Sequence, residues 1–118
     1  MTKTSDKLDD ADIGAPVAKL DTPALLLDVA ACDRNLAKMA DFFRDRPCKL
    51  RPHFKNHKCI TLARRQLDAG AAVGMTCAKV GEAEVLIEHG FDDVLIANQV
   101  LGDGKLRRLM QLNRRATV

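Results

Sequence analysis

The residue types most suited to chemistry lie together in one short basic segment, Arg51-Pro-His-Phe-Lys-Asn-His-Lys58. Within it, Lys55 stands between the cations Arg51 and Lys58 and close to His53. Partial burial and neighbouring positive charge both lower the pKa of an amine, which makes it nucleophilic toward carbonyl carbon near neutral pH. The segment therefore fits a lysine that bonds covalently to a carbonyl compound. The alternative is a solvated surface lysine in a basic loop.

The same segment also contains side chains that bind metal ions. Two thiols and two imidazoles lie close together in the chain, at Cys48, His53, His57 and Cys59. Cysteine and histidine in this combination are ligands of tetrahedral zinc. Their spacing is not that of a zinc finger, however, and Cys48 would lie inside a strand. We therefore expect no metal site in this chain.

The cations of this region would also attract the phosphate groups of a nucleic acid. Against such a partner, the sequence has no Trp or Tyr and only four Phe to stack on bases, and its net charge is only +3. A solvated helix surface accounts for most of these cations, and we expect no nucleic-acid partner. The cations are Arg44, Arg46, Lys49, Arg51, Lys55, Lys58, Arg64, Arg65, Arg107, Arg108, Arg114 and Arg115.

Short apolar runs typical of buried strands recur along the chain. They alternate with helical patterns, which predicts a parallel sheet with right-handed crossovers. The runs are apolar on both faces, as is usual for strands covered on both sides. Because a closed (β/α)8 barrel needs about 250 residues, we expect an α/β fold that is the N-terminal portion of a (β/α)8 (TIM) barrel, truncated after about three βα units. The runs lie at 24–28, 48–52, 72–76, 94–97 and 117–118.

Between the strands, apolar residues spaced three and four apart predict four helices. Asp28 is suited to cap the first helix, and Gly70 and Gly90 are suited to end the second and third. The apolar stripes are Leu36, Met39, Ala40 and Phe43; Ile60, Ala63 and Leu67; Val80, Ala83 and Ile87; and Leu106, Leu109 and Met110.

Composition indicates an ordinary globular chain, with 118 residues of which 47% are apolar and 30% charged. The polar residues 1–20 predict a flexible N-terminal arm, followed by one partial barrel domain at 21–118. No apolar run reaches the roughly 18 residues of a membrane span, and the start lacks a secretory signal. The four cysteines form no C-x-x-C pair, which favours reduced thiols. We therefore expect a cytoplasmic protein with no membrane partner.

Five longer motifs follow one another along residues 20–118. They are Leu20-Asp-Thr-Pro-Ala-Leu-Leu-Leu-Asp28, Arg51-Pro-His-Phe-Lys-Asn-His-Lys58, Ala63-Arg-Arg-Gln-Leu67, Thr76-Cys-Ala-Lys-Val-Gly-Glu-Ala-Glu84 and Asp93-Val-Leu-Ile-Ala-Asn98. In order and spacing they resemble the start of D-threonine aldolases and eukaryotic-type D-serine dehydratases. These are fold-type III pyridoxal-phosphate enzymes with an alanine-racemase-like N-terminal domain.

This resemblance implies a role for Lys55, which matches the first lysine of the family motif R-P-H-x-K-T-H-K and would carry pyridoxal 5'-phosphate covalently. Asn56 stands where the family usually has Thr, and it keeps the capacity for hydrogen bonds. His53, Thr76, Asn98 and Gln99 follow strand ends, where we expect them to line the cofactor pocket. Asn98 and Gln99 are equally suited to cap the fourth helix or its loop.

The resemblance further implies a lyase acting on D-3-hydroxy amino acids, with the cofactor ring as electron sink. A D-threonine aldolase cleaves its substrate to glycine and an aldehyde. The alternatives are a D-serine or 3-hydroxy-D-aspartate dehydratase, a non-catalytic pyridoxal-phosphate-binding protein, and a basic nucleic-acid-binding fragment. For the full-length protein the family implies a divalent metal, zinc or manganese, whose ligands lie outside this chain. We also expect a full-length homodimer, and an inactive fragment if the chain stands alone.

Overall fold

The structure, a computed structural model, describes residues 13–118. Within them the chain forms helices α1 to α4 and strands β1 and β2, with 3-10 turns at Val17–Lys19 and Phe54–Asn56. Of the predicted arm at 1–20, residues 1–12 lie outside the described part of the chain. The elements are α1 Val29–Phe43, α2 Ile60–Asp68, β1 Met75–Cys77, α3 Val80–Glu88, β2 Val94–Ile96 and α4 Asp103–Leu112.

The sheet is parallel, as the alternation of strands and helices predicts. Strand β1 pairs with β2 so that Thr76 lies beside Leu95. Further single parallel pairs extend this ladder on both sides: Leu50 with Ala72 and His53 with Thr76 on one side, and Asp93 with Thr117 on the other. The segments predicted as strands at 48–52 and 117–118 therefore lie in the sheet, although they form isolated pairs and not continuous strands.

The helix boundaries follow local signals in the sequence. The Asp28 carboxylate accepts a hydrogen bond from the Ala31 N–H at 2.8 Å and caps α1. Gly70 and Gly90 have φ angles of 89° and 78° just beyond α2 and α3, a left-handed conformation that suits glycine and ends a helix. These predictions are confirmed.

The hydrophobic core lies between the sheet and α2 to α4. Met75, Cys77 and Val94 point into it from the strands, while their neighbours Thr76 and Leu95 point to the opposite face, since successive side chains alternate along a strand. Leu95 is 48% exposed. Among the described residues this second face is therefore covered at Thr76, which is 7% exposed, and open at Leu95. The rest of the core is Phe54, Ala63, Val80, Ala83, Leu86, Ile87, Phe91 and Leu112.

The apolar run at 24–28 does not form the predicted strand. It has no assigned secondary structure and no strand partner among the described residues, and Leu25, Leu26 and Leu27 are 104%, 63% and 54% exposed. A strand requires a neighbouring strand to satisfy its backbone groups, and none of the described segments supplies one. Helix α1 that follows contains no buried residue.

Candidate functional site

Lys55 lies in a tight turn at the carboxyl edge of the sheet. The chain leaves the sheet at His53, which pairs with Thr76 of β1, and turns at once through the 3-10 helix Phe54–Asn56. The buried ring of Phe54, 2% exposed, anchors this turn in the core. The Lys58 N–H donates to the Phe54 carbonyl at 2.9 Å, which closes the turn. The side chain of Lys55 is left exposed at this edge.

Two imidazoles stabilise the backbone on either side of Lys55. Nδ1 of His53 accepts a hydrogen bond from the Lys55 N–H at 3.3 Å, and Nδ1 of His57 accepts one from the Cys59 N–H at 3.1 Å. Nε2 of His57 lies 3.2 Å from the Gln66 side-chain oxygen. Since a neutral imidazole carries one N–H, both rings are protonated at Nε2 in this arrangement, and His57 donates to Gln66. The loop carrying Lys55 is thus tied to α2.

The cations that flank Lys55 in the sequence are paired with carboxylates in the structure. Arg51 donates two hydrogen bonds of 2.7 Å to Asp93, and these bonds raise the pKa of Arg51. Nζ of Lys58 lies 3.6 Å from Oε1 of Glu82. Lys58 has a φ angle of 48° and lies in the loop before α2. Both cations therefore have a carboxylate partner, which their positions in the sequence do not indicate.

His53 and Thr76 lie side by side in the sheet, as their positions at strand ends predict. Thr76 is only 7% exposed. Its hydroxyl donates to the Arg51 carbonyl at 3.2 Å, and its N–H donates to the Pro52 carbonyl at 2.7 Å. Thr76 thereby attaches the segment before Lys55 to β1.

Asn98 and Gln99 follow β2 at the same edge and line a cleft of about 480 Å³. The Asn98 amide donates to the Ala78 carbonyl at 3.5 Å, and its oxygen accepts from the Gln99 N–H at 3.0 Å, so that Asn98 also stabilises its own loop. The structure places these two residues in this cleft, whereas Lys55, His53 and Thr76 do not line it.

Glu82 is a residue of this edge that the sequence analysis did not select. Its side chain is only 12% exposed, and it accepts a hydrogen bond from the Ala78 N–H at 2.8 Å besides facing Lys58. A glutamate in the first turn of a helix can accept backbone N–H groups that have no partner within the helix. The N-cap is Lys79, so the sequence lacks the Ser or Thr of a capping box, and the structure alone identifies Glu82.

The four cysteines are all free thiols in different surroundings. Cys77 is fully buried, and burial raises its pKa to about 11, so that it remains a protonated thiol near neutral pH. Cys48 is exposed and Cys59 is half-buried. Among residues 13–118, no group of three or more His, Cys, Asp or Glu side chains is arranged to hold a metal ion. In the same range, none of the helices combines the length and apolar character needed to cross a membrane.

Known proteins with a related sequence and fold are aldolases and dehydratases, although no family model matches the chain. D-threonine aldolase of Arthrobacter sp is 44% identical over 108 residues, 92% of this chain and 28% of that protein. The crystal structure of D-threonine aldolase from Filomicrobium marinum superposes with a TM-score of 0.80, at 51% identity, covering 85% of this chain and 27% of the other.

A third relative carries out a different reaction. D-threo-3-hydroxyaspartate dehydratase from Delftia sp. HT23 superposes with a TM-score of 0.73, at 36% identity, covering 82% of this chain and 25% of the other. The matched region thus spans about a quarter of each relative. It contains the motif around Lys55 and both strands of the sheet. Over most of its own length the chain is therefore homologous to a segment of D-threonine aldolases and 3-hydroxyaspartate dehydratases.

Proposed function

We propose that this chain supplies the cofactor-bearing part of a pyridoxal-phosphate-dependent lyase that acts on D-3-hydroxy amino acids. We favour the cleavage of D-threonine as the reaction, because the two D-threonine aldolases are 44% and 51% identical to the chain, whereas the dehydratase is 36% identical. The α/β unit described here would then form part of a (β/α)8 barrel. The observation that carries the proposal is the position of Lys55 at the carboxyl edge, where parallel α/β proteins build their active sites.

The surroundings of Lys55 fit a lysine that holds pyridoxal phosphate. Among the described residues its ammonium group forms no hydrogen bond or ion pair, so that no carboxylate has to be displaced before the amine reacts. Its main chain is held firmly, because the Lys55 N–H donates to His53 and the turn is anchored by Phe54. A fixed backbone with a free amine suits covalent attachment to an aldehyde.

The remaining residues of the edge would orient this group. His53 holds the turn and faces the same side of the sheet as Thr76, which is itself bonded to the Arg51 carbonyl. Asn98 and Gln99 offer amide groups in the adjoining cleft. When bound, pyridoxal phosphate stabilises the negative charge that develops at the substrate Cα. No group among residues 13–118 fits the divalent metal of the family, and we assign no step to that metal here.

The proposal can be tested by grafting residues 20–118 into the D-threonine aldolase from Filomicrobium marinum in place of the segment they match. We expect the graft to cleave D-threonine to glycine and acetaldehyde. Lys55→Ala in the graft should lower turnover by several orders of magnitude, as is usual when a covalent catalyst is removed. The matched control is Lys49→Ala, which replaces an exposed lysine earlier in the same sheet segment and should keep turnover.

Three outcomes separate the alternatives. A graft that folds and takes up the cofactor at Lys55 but cleaves nothing would favour a non-catalytic cofactor-binding role. Release of ammonia from D-serine or D-threo-3-hydroxyaspartate, without glycine from D-threonine, would favour a dehydratase. Near-normal turnover after Lys55→Ala would overturn the assignment of Lys55.

A further inference from the structure

Arg51 and Asp93 form an ion pair on the face of the sheet opposite the hydrophobic core. The guanidinium donates through Nη1 to Oδ1 and through Nη2 to Oδ2 of Asp93, each at 2.7 Å. Such a two-point contact fixes orientation as well as distance. The side chains are 31% and 33% exposed. The pair spans Gly74, the residue before β1, because Arg51 lies in the neighbouring segment on one side and Asp93 directly precedes β2 on the other.

The space that the pair occupies exists because Gly74 has no side chain. A Cβ at Gly74 would lie 2.4 Å from Nη1 of Arg51 and 2.5 Å from the Asp93 carbonyl oxygen. The φ angle of Gly74 is not in the left-handed region, so that the glycine is needed here for room and not for backbone conformation. Three residues from separate parts of the chain thus meet in one row of the sheet.

This row lies two residues toward the amino ends of the sheet segments from the row that contains His53. His53 pairs with Thr76, and Thr76 pairs with Leu95. Moving two residues toward the amino end of each segment gives Arg51, Gly74 and Asp93, whose side chains share one face because the strand period is two. The ion pair therefore lies on the same face as His53. Of its two residues, Arg51 belongs to the segment that leads directly into the Lys55 turn.

The attachment of this segment to the sheet is otherwise sparse. Apart from the Thr76 hydroxyl, which donates to the Arg51 carbonyl, the segment is joined to the sheet by isolated backbone pairs at Leu50 and His53, in contrast to the continuous pairing of β1 with β2. We propose that the Arg51–Asp93 pair is a positioning device, which holds the segment in register and sets where Lys55 emerges from the sheet. This inference rests on the proposed function of Lys55. Arg51 and Asp93 would act through the backbone and without touching the cofactor.

The test uses the full chain and pyridoxal phosphate as the probe. The chain is incubated with the aldehyde and reduced with borohydride, and the label on each lysine is quantified by mass spectrometry. We expect Arg51→Gln and Asp93→Asn to lower the share of label on Lys55 about tenfold relative to the other lysines, because small displacements of a reacting group are costly. The reversed double variant, Arg51→Asp with Asp93→Arg, should restore part of that share.

Arg65→Gln is the matched control. Arg65 pairs with Asp33 and is 34% exposed, so that its loss removes a comparable ion pair away from the edge. It should lower the melting temperature without changing the share of label on Lys55. If Arg51→Gln also lowers the melting temperature but leaves the share of label on Lys55 unchanged, the Arg51–Asp93 pair is only structural and the inference is wrong.

Amide hydrogen exchange provides a second measurement that needs no cofactor. In Arg51→Gln we expect faster exchange for residues 53–58 and unchanged exchange for α4. If the wild-type chain takes no label on Lys55, the proposed function fails, while faster exchange in Arg51→Gln would still show that the pair holds the turn. Equal exchange in both proteins would overturn the positioning role as well.

Discussion

Glu84 and Arg108 join α3 to α4 through two hydrogen bonds, one of them 2.6 Å from Nε of Arg108 to Oε1 of Glu84. The hydrogen bond from Arg108 lowers the pKa of Glu84. A carboxylate with a lowered pKa in the folded state adds stability above its unfolded pKa, about 4.3 for glutamate. That stability is lost as the pH falls through the lower folded value.

We therefore predict that Glu84→Gln unfolds at a lower urea concentration than the wild type at pH 7 and that this difference shrinks at pH 3. The measurement is urea unfolding of both proteins at the two pH values. Glu88→Gln, at the exposed end of α3, is the control and should change little. A difference of equal size at pH 7 and pH 3 would contradict the assignment.

The two glycines Gly74 and Gly104 should respond oppositely to the same substitution. Gly74→Ala places a methyl group against Arg51 and the Asp93 carbonyl, and we expect it to lower the free energy of unfolding by about 1–3 kcal/mol. Gly104 lies in α4 with nothing within 4 Å of its would-be Cβ. Gly104→Ala should raise stability by up to about 1 kcal/mol. Urea unfolding measures the change in stability of both variants. An unchanged free energy of unfolding in Gly74→Ala would show that Arg51 and Asp93 can move to accommodate the methyl group without loss of stability.

The cysteines should differ sharply in their reaction with alkylating reagents. Only the thiolate reacts, and the pKa of Cys77 is raised to about 11 by burial, so that its thiolate forms only near that pH. At pH 8 we expect iodoacetamide to modify the exposed Cys48, and to modify Cys77 only after denaturation. Peptide mass spectrometry follows both sites in the same sample. Similar rates for the two thiols in the folded chain would be inconsistent with the buried position of Cys77.

The set Cys48, His53, His57 and Cys59 should not bind zinc as a structural site. Nδ1 of both histidines already accepts a backbone N–H, and Nε2 of His57 contacts Gln66. We expect the purified chain to retain no stoichiometric zinc after dialysis, as measured by elemental analysis. Zinc that is retained by the wild type and lost in a Cys48→Ser, Cys59→Ser double variant would reverse this prediction.

The 118-residue chain by itself should not cleave D-threonine, even with pyridoxal phosphate and zinc or manganese added. It spans 27% of the Filomicrobium marinum aldolase, and its residues 13–118 contain no group arranged to hold a metal ion. The assay is glycine formation, with the Filomicrobium marinum enzyme measured in parallel. Turnover by the chain alone would show that the essential groups lie within it.

Features that depend on local sequence could be predicted without the structure. Hydrogen bonds within a helix join residues four positions apart, so the apolar stripes of α2, α3 and α4 and the glycines after α2 and α3 were sufficient to locate these elements. The parallel order of the sheet followed from the alternation of strands and helices. The position of Lys55 directly after a sheet segment was predicted in the same way, and the structure places it at that edge.

Features that depend on distant partners could not be read in this way. The run at 24–28 has the composition of a strand, but pairing requires a neighbour that no local pattern specifies, and the run is unpaired among the described residues. The sequence shows Arg51 as a cation near Lys55, but no local pattern indicates that it meets Asp93 across Gly74. The sequence alone determined which residues form helices and which lysine stands at the sheet edge. Only the tertiary structure decided which charges are paired and which face is covered, because these contacts join residues that are far apart in the chain.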